Sequence, residues 1–247
     1  MKRAVAATTS FLPMALDKIS KEAIAQGHER LYPSLTNPNW LILRERRVLL
    51  KNWISRAAGN NLAVLDLGGR IQPYRPLVED RTASYVAVDM VPSPLVDIVA
   101  RGEQLPVRDG VFDIVICTQV LEYVLEPSLA VAEIHRVLKS GGFLLLTVPS
   151  IFPRDADHDC WRFMPEALRY LLREFSATEI VPEGSSVVGI FRTLALIAAS
   201  YTKPSWLATL FRWTVVPLCN MAAVAVMSLV KTTNDQFAAN FGAFAKK

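Results

Sequence analysis

The sequence predicts an α/β fold in which a mostly parallel sheet carries helices on its faces, with N-terminal helices before it and a hydrophobic helical insertion before the last strand. Three observations lead there. Short apolar runs at 62–67, 85–89, 112–117 and 143–148 have the composition of buried strands. Helical stretches separate them, and that alternation builds a parallel sheet. Residues 187–230 are almost wholly apolar, broken by Arg192, Lys203 and Arg212, before a strand-like alternation resumes at 240–246.

Taken in order, the chain opens Met1-Lys2-Arg3 and turns mildly apolar. Thr8, Thr9 and Ser10 interrupt that stretch and no small-residue cleavage site follows, so it is not expected to be a targeting segment. From Asn39 to Ala58 the residues Ile42, Leu43, Leu49, Leu50, Trp53 and Ile54 recur at helical spacing, opposite Arg44, Arg47 and Lys51. This is an amphipathic helix, ended by Gly59. Leu62–Leu67, Tyr85–Asp89, Phe112–Cys117 and Phe143–Val148 are the strands, with Val96–Ala100 a weaker fifth. A helix is expected over 128–139, closed by Gly141-Gly142, and another from Pro165 to Phe175. The organisation is an N-terminal helical arm (1–60), a core (61–186), an apolar helical hairpin (187–232) and a closing strand (233–247).

Composition narrows the class. With 247 residues, 51% of them hydrophobic, and 27 basic against 23 acidic side chains, the chain suits one large domain or a domain with an appendage, and disorder is excluded for most of it. A mean hydropathy of +0.26 raises the question of a membrane contact. Cys117, Cys160 and Cys219 are odd in number and show no C-x-x-C spacing, which speaks against a disulfide framework or a zinc cluster. A reducing cytosol fits, and no metal site is indicated. Charge is uneven: residues 1–60 carry +6, residues 61–186 carry −7 and residues 187–247 carry +5. An acidic centre argues against nucleic acid, and the basic ends suit an anionic surface.

In open α/β sheets ligands bind beyond the carboxyl ends of the strands. Here the first strand ends Asp66-Leu67-Gly68-Gly69 and the second ends at Asp89. Glycine permits a turn with no Cβ between backbone and ligand, and a carboxylate closing the second strand can accept hydrogen bonds from two ribose hydroxyls. A nicotinamide dehydrogenase shares this opening, but its G-x-G-x-x-G is absent because Arg70 and Ile71 follow Gly69.

Five segments now act together: Val64–Gly69, Val86–Asp89, Glu103–Val107, Phe112–Glu122 and Arg136–Gly142. In order and spacing they resemble the class I S-adenosylmethionine-dependent methyltransferases, a Rossmann-like family, over about residues 62–182. The resemblance implies seven strands in the order 3-2-1-4-5-7-6, the last antiparallel, with Asn240–Lys246 in that last place. It implies that Asp66, Gly68 and Gly69 meet the methionyl end of S-adenosylmethionine, that Asp89 holds the ribose, and that Glu103, Gln104 and Leu105 border the adenine. Cys117 and Thr118 would form the floor under the sulfonium. This chain departs from the pattern at Arg70 and Gln72, where glycines are usual, at Arg101, where aspartate is common, and at Tyr123, where histidine is common. Gly69–Leu77, with its P-Y-R-P element, and His158–Leu168 further resemble methyltransferases of bacterial cell-surface polysaccharide and lipid pathways. Met164 replaces a usual helix-capping threonine there.

Methyl transfer from a sulfonium is an in-line displacement whose leaving thioether needs no proton, so a base is required only for a hydroxyl acceptor. His158, among Asp155, Asp157 and Asp159, is the candidate base, the alternative being a hydrogen bond within its own loop, and Tyr123 is expected either to face the acceptor or to cover the cofactor. The expected acceptor is a small molecule or a lipid-linked intermediate, a cell-envelope sugar among them; nucleic acid is not expected, and a homo-oligomer is compatible. The competing reading is a catalytically silent, membrane-tethered binding module, supported by the altered glycine loop and opposed by Asp89, Glu122 and the intact fourth-strand segment. The insertion is expected to lie on an anionic membrane, with Trp206, Phe211 and Trp213 at headgroup depth and Arg192, Lys203 and Arg212 reaching lipids. The alternative is a cap burying the same face on the domain or in a dimer. The chain is thus expected in the cytoplasm, peripheral on the inner face of a membrane.

Overall fold

The computed structural model describes residues 11–247 except Ala58, Asp155, Lys231 and Thr232, together with all their side chains but those of 11–18 and Tyr201. The opening segment read as non-targeting lies outside the described residues. Two helices, α1 (Phe11–Leu31) and α2 (Trp40–Arg56), precede the sheet. Then follow β1 (Leu62–Leu67), β2 (Thr82–Asp89), β3 (Ile98–Val99), β4 (Phe112–Thr118), α3 (Pro127–Val137), β5 (Leu138–Pro149), α4 (Pro165–Leu171) and β6 (Ala177–Pro182). The insertion is α5 (Ser186–Leu196), α6 (Ser205–Trp213) and α7 (Val215–Leu229), and β7 (Asn240–Lys246) closes the fold.

The seven strands lie in the order β3-β2-β1-β4-β5-β7-β6. Strands β1 to β5 are parallel, and β7 runs antiparallel between β5 and β6. This is the topology the resemblance implied. Its sequence cause is plain in β4, where successive residues point to opposite faces. Val115 and Cys117 join Ile134 of α3 and Leu168 of α4 on one face. Ile114 and Ile116 join Leu50, Trp53 and Ile54 of α2 on the other. Helix α2 is therefore a layer of the core, not a free arm. Its Trp53 ring stacks on Phe244 of β7 at 5.8 Å, and burying each such side chain contributes roughly 1.5–3 kcal/mol.

Several boundaries move. Gly141-Gly142 does not close α3, which ends at Val137 and runs directly into β5. The pair lies inside that strand, where Gly141 takes φ +79 and the register against β4 shifts between Phe112 and Ile114. Positive φ lets the strand loop out and bond the chain end, Gly141 N–H to Lys247 O at 3.0 Å. Helix α4 stops at Leu171, short of Phe175, and β2 begins at Thr82, before Tyr85.

The insertion connects β6 to β7, which are hydrogen-bonded neighbours, so both its ends sit on one sheet edge. Its inner side packs on α2: Val188 and Ala223 join Leu41, Ile42 and Leu43. Helix α5 approaches the 237–239 backbone so closely that a Cβ on Gly189 would lie 1.7 Å from Phe237 O. Helix α7 turns Val216, Asn220 and Ala223 inward, and Asn220 Nδ2 donates to Leu35 O at 2.8 Å and Asn37 O at 3.2 Å. Helix α6 buries no residue. Arg192 corrects the sequence reading: it is buried, with Nε donating to Asn39 Oδ1 at 2.9 Å and its guanidinium 4.6 Å from the Phe152 ring. It serves the interior because α5 packs on the protein along that side.

Candidate functional site

The carboxyl ends of β1, β2 and β4 bring most of the expected cofactor residues to one edge. Asp66 is buried near the end of β1 and accepts a 2.7 Å hydrogen bond from Tyr85 Oη. Burial pushes its carboxyl up to about 7, with a smaller contribution from the charge of Asp89. Gly68, at φ +82, makes the turn, and its N–H and that of Gly69 both donate to Val88 O, at 2.8 and 3.2 Å. A Cβ on Gly68 would stand 2.3 Å from Val120 Cγ2, so the loop after β1 touches the loop after β4. Asp89 is partly exposed at the end of β2, its Oδ1 accepting from Val91 N–H at 2.8 Å.

Glu103, past β3, pairs with Arg101 at 2.9 Å, which holds its carboxyl below the usual range. Gln104 is exposed. Two expected residues turn out differently. Leu105 is a core residue tied to α3, its N–H donating to Glu133 and its carbonyl accepting from Arg136. Cys117 is fully buried in the same core, where burial pushes its thiol up, so its side chain packs toward α3. Thr118 ends β4 and is buried beside Thr147 of β5. Gln72, where the family usually has glycine, takes φ +43 with Nε2 bonded to Leu95 O. A glycine turn flanked by Asp66, Asp89 and Glu103 suits a ligand with a cationic centre and vicinal hydroxyls, and S-adenosylmethionine has both.

Beside this edge lies a cavity of about 400 Å³. Its wall takes Glu29 and Arg30 from α1, Asn39 just before α2 and Arg46 within it, Ile71 after β1, Gln119, Glu122 and Tyr123 after β4, Phe152 after β5, Arg192 from α5 and Arg212 from α6. Glu122 is buried and its Oε2 has no hydrogen-bond partner. Burial pushes its carboxyl up to about 7, against the smaller opposing pull of Arg46 and Arg162. Gln119 reaches the wall in a left-handed backbone conformation, φ +55, held by its N–H on Thr147 O at 2.8 Å.

Tyr123 and His158 do meet, with ring centroids 5.3 Å apart. Tyr123 is on the cavity wall; His158 is exposed and is not among the wall residues. The H-D-x-x-R-F segment works as a latch. Arg162 grips Asp159 at 2.5 and 2.7 Å and donates to Phe152 O and Pro153 O, while Cys160 and Trp161 N–H groups donate to Glu122 O. Asp155 lies outside the described residues. Sequence reasoning missed Arg46, Asn39, Gln119 and Glu122 as wall residues. The available signals were the isolated cation Arg192 in an apolar run and a carboxylate directly after a buried strand.

The strand order and the glycine turn at the carboxyl ends are those of the Rossmann-like class I methyltransferase fold. Residues 65–146 match the methyltransferase domain family. The ubiquinone biosynthesis O-methyltransferase of Pseudomonas paraeruginosa is 30% identical over 130 residues, covering 45% of this chain and 55% of that protein. The chain thus spans about half the length of the curated relatives it matches. Among solved structures, the [4+2]-cyclase SpnF superposes with a TM-score of 0.52 at 20% identity, covering 81% of this chain and 80% of that one. A SAM dependent methyltransferase from Aquifex aeolicus gives 0.50 at 14% identity, covering 86% and 94%. These structures share the fold. The matches do not support the silent, membrane-tethered alternative.

Proposed function

We propose that the chain transfers the methyl group of S-adenosylmethionine to an oxygen of a small acceptor held in the 400 Å³ cavity, with Glu122 taking the proton. Glu122 carries this reading: a buried carboxyl with an unpartnered oxygen, on the cavity wall just past β4 and beside the glycine edge. When bound, S-adenosylmethionine supplies an electrophilic methyl group whose thioether leaves without a proton. The chain's work is then to position. Asp89 holds the ribose hydroxyls, Gly68 and Gly69 leave the backbone open to the methionyl end, and Asp66, fixed by Tyr85, stands beside them as a hydrogen-bonding group. A hydroxyl acceptor gives its proton to Glu122 Oε2, and a carboxyl that titrates near neutrality suits that task. Tyr123, next along the wall, orients the acceptor, and His158 supports Tyr123 from outside. The resemblance to the O-methyltransferases of Pseudomonas supports an oxygen acceptor. A hydroxylated ring or sugar, free or lipid-linked, fits this reading. The chain then works in the cytoplasm, at a membrane surface when its acceptor is lipid-borne.

Calorimetry with S-adenosylmethionine and S-adenosylhomocysteine, followed by transfer of tritiated methyl to catechol or to extracted envelope lipids, tests it. Both ligands should bind, and label should enter one acceptor fraction. Glu122→Gln should slow transfer about 10²–10⁴-fold with cofactor affinity kept. Folded protein that binds neither ligand overturns the reading. A full rate in Glu122→Gln removes Glu122 as the base.

A further inference from the structure

The insertion leaves an apolar surface uncovered. On α6, Trp206, Leu210 and Trp213 are 66%, 49% and 68% exposed at intervals of four and three residues. On α7, Leu218, Met221 and Val224 are exposed at intervals of three. Such spacing sets each trio on one helix face, and on α7 it is not the face that turns Val216, Asn220 and Ala223 into the protein. Within the insertion the charges have one sign, and Glu45 of α2, beside Val224 at the inner margin, has a cation, Arg44, next to it. No acidic residue occurs between Glu183 and Asp235, and Lys203 and Arg212 are both exposed beside α6 and on it.

We infer that α6 and the outer face of α7 form a monotopic docking surface for a lipid bilayer with anionic headgroups. Apolar stripes rich in tryptophan, flanked by cations, are what an interfacial helix presents to such a surface. A second copy of the chain fits less well. Twofold apposition would bring Lys203 and Arg212 of both copies into one interface, with no carboxylate in the segment to offset them. Crossing the bilayer is also excluded by the fold. The insertion starts and ends on adjacent strands, so crossings must be even in number, yet residues 186–200 form an apolar helix shorter than the ~20 residues a span requires. The stretch from Ser205 to Leu229 is long enough by itself, but α7 is fixed to the α1–α2 connection through Asn220. Because Arg212 of α6 lines the cavity, the surface also places the acceptor entrance at headgroup level. That last step rests on the proposed acceptor site; the docking itself does not.

The experiment uses the full chain and extruded vesicles of phosphatidylcholine, with and without phosphatidylglycerol. Sedimentation at low salt should pellet the protein with the anionic vesicles alone, release it at high salt, and shift tryptophan emission to the blue. Trp206→Ser with Trp213→Ser should weaken vesicle binding about tenfold or more, while S-adenosylmethionine affinity, read by calorimetry, stays unchanged because both residues are exposed. The inference is overturned if wild-type protein stays in the supernatant, or if the double variant pellets equally well. It is overturned too if the wild type forms a dimer that the double variant dissolves while neither binds vesicles, which gives the face to a second copy. Retained cofactor binding in any of these outcomes leaves the methyltransferase reading standing.

Discussion

Arg46 of α2 grips Glu183, the first residue beyond β6, through Nε to Oε1 at 2.9 Å, Nε to Oε2 at 3.1 Å and Nη2 to Oε2 at 2.9 Å, with both side chains sealed from solvent. Asn240 Nδ2 adds a third contact to Glu183 Oε2 at 2.8 Å. The pair ties the N-terminal layer to the sheet edge from which the insertion departs, and Arg46 also lines the cavity. Removing one partner leaves the other charge buried and alone. Arg46→Ala should therefore destabilise by about 3–5 kcal/mol in urea unfolding. Replacing both partners by apolar residues should cost less than either single change. Equal stability of Arg46→Ala and the wild type would show that the pair is not closed in solution.

Asp89→Ala should weaken S-adenosylmethionine binding about tenfold or more, since a carboxylate facing two hydroxyls makes charge-assisted hydrogen bonds of roughly 1.5–3 kcal/mol. Calorimetry on the folded variant measures this directly. An unchanged dissociation constant removes Asp89 from the cofactor site.

The acid groups of Asp66 and Glu122 set a pH dependence of defined sign. Both are raised to about 7 in the folded protein, from ordinary values of 3.8 and 4.5, chiefly by burial. Between those limits the folded state binds more protons than the unfolded chain, so these two groups make stability fall as pH rises from about 4 to 7, after which their effect levels off. Urea midpoints at pH 5 and pH 8 should show the fall, and Asp66→Asn with Glu122→Gln should flatten it. A double variant that loses stability over this range as steeply as the wild type contradicts the assignment.

Met164 stands at the N-cap of α4 and makes no side-chain cap hydrogen bond, as its sequence position suggested. Threonine there can accept from a free N–H in the first turn. Met164→Thr should gain about 1 kcal/mol, read as a higher urea midpoint with an unchanged slope; a lower midpoint would mean that the thioether contact with Ser150 matters more.

Gly189→Ala should cost several kcal/mol on the scale of core overpacking, about 1–3 or more, because the new methyl would meet the Phe237 carbonyl at 1.7 Å. Loss of α5 from its seat should also open the Arg192–Asn39 contact on the cavity wall. Hydrogen exchange over α5 and 237–239 reports the change, and unaltered protection in the variant would refute the close approach.

The sheet was legible in the sequence because a strand buried on both faces must be largely apolar, and β1, β4 and the second half of β5 are, with Asp66, Asp113 and Thr147 among the polar exceptions. The acidic and glycine residues at the ends of β1 and β2 were legible for a related reason: local chain chemistry puts them past the strand ends whatever surrounds them. Boundaries set by tertiary bonding were not, as Gly141-Gly142 shows by joining the chain end to β5. Only the folded chain decided which cations face inward. Arg192 and Arg212 look alike in an apolar run, yet α5 buries one on Asn39 and Phe152 while α6 leaves the other exposed at the cavity mouth. Glu122 gained its place in the same way. Its carboxyl is raised by burial and its Oε2 is left without a partner, while Arg46, 76 positions earlier in the sequence, bonds Glu183 instead, and no local pattern encodes either fact.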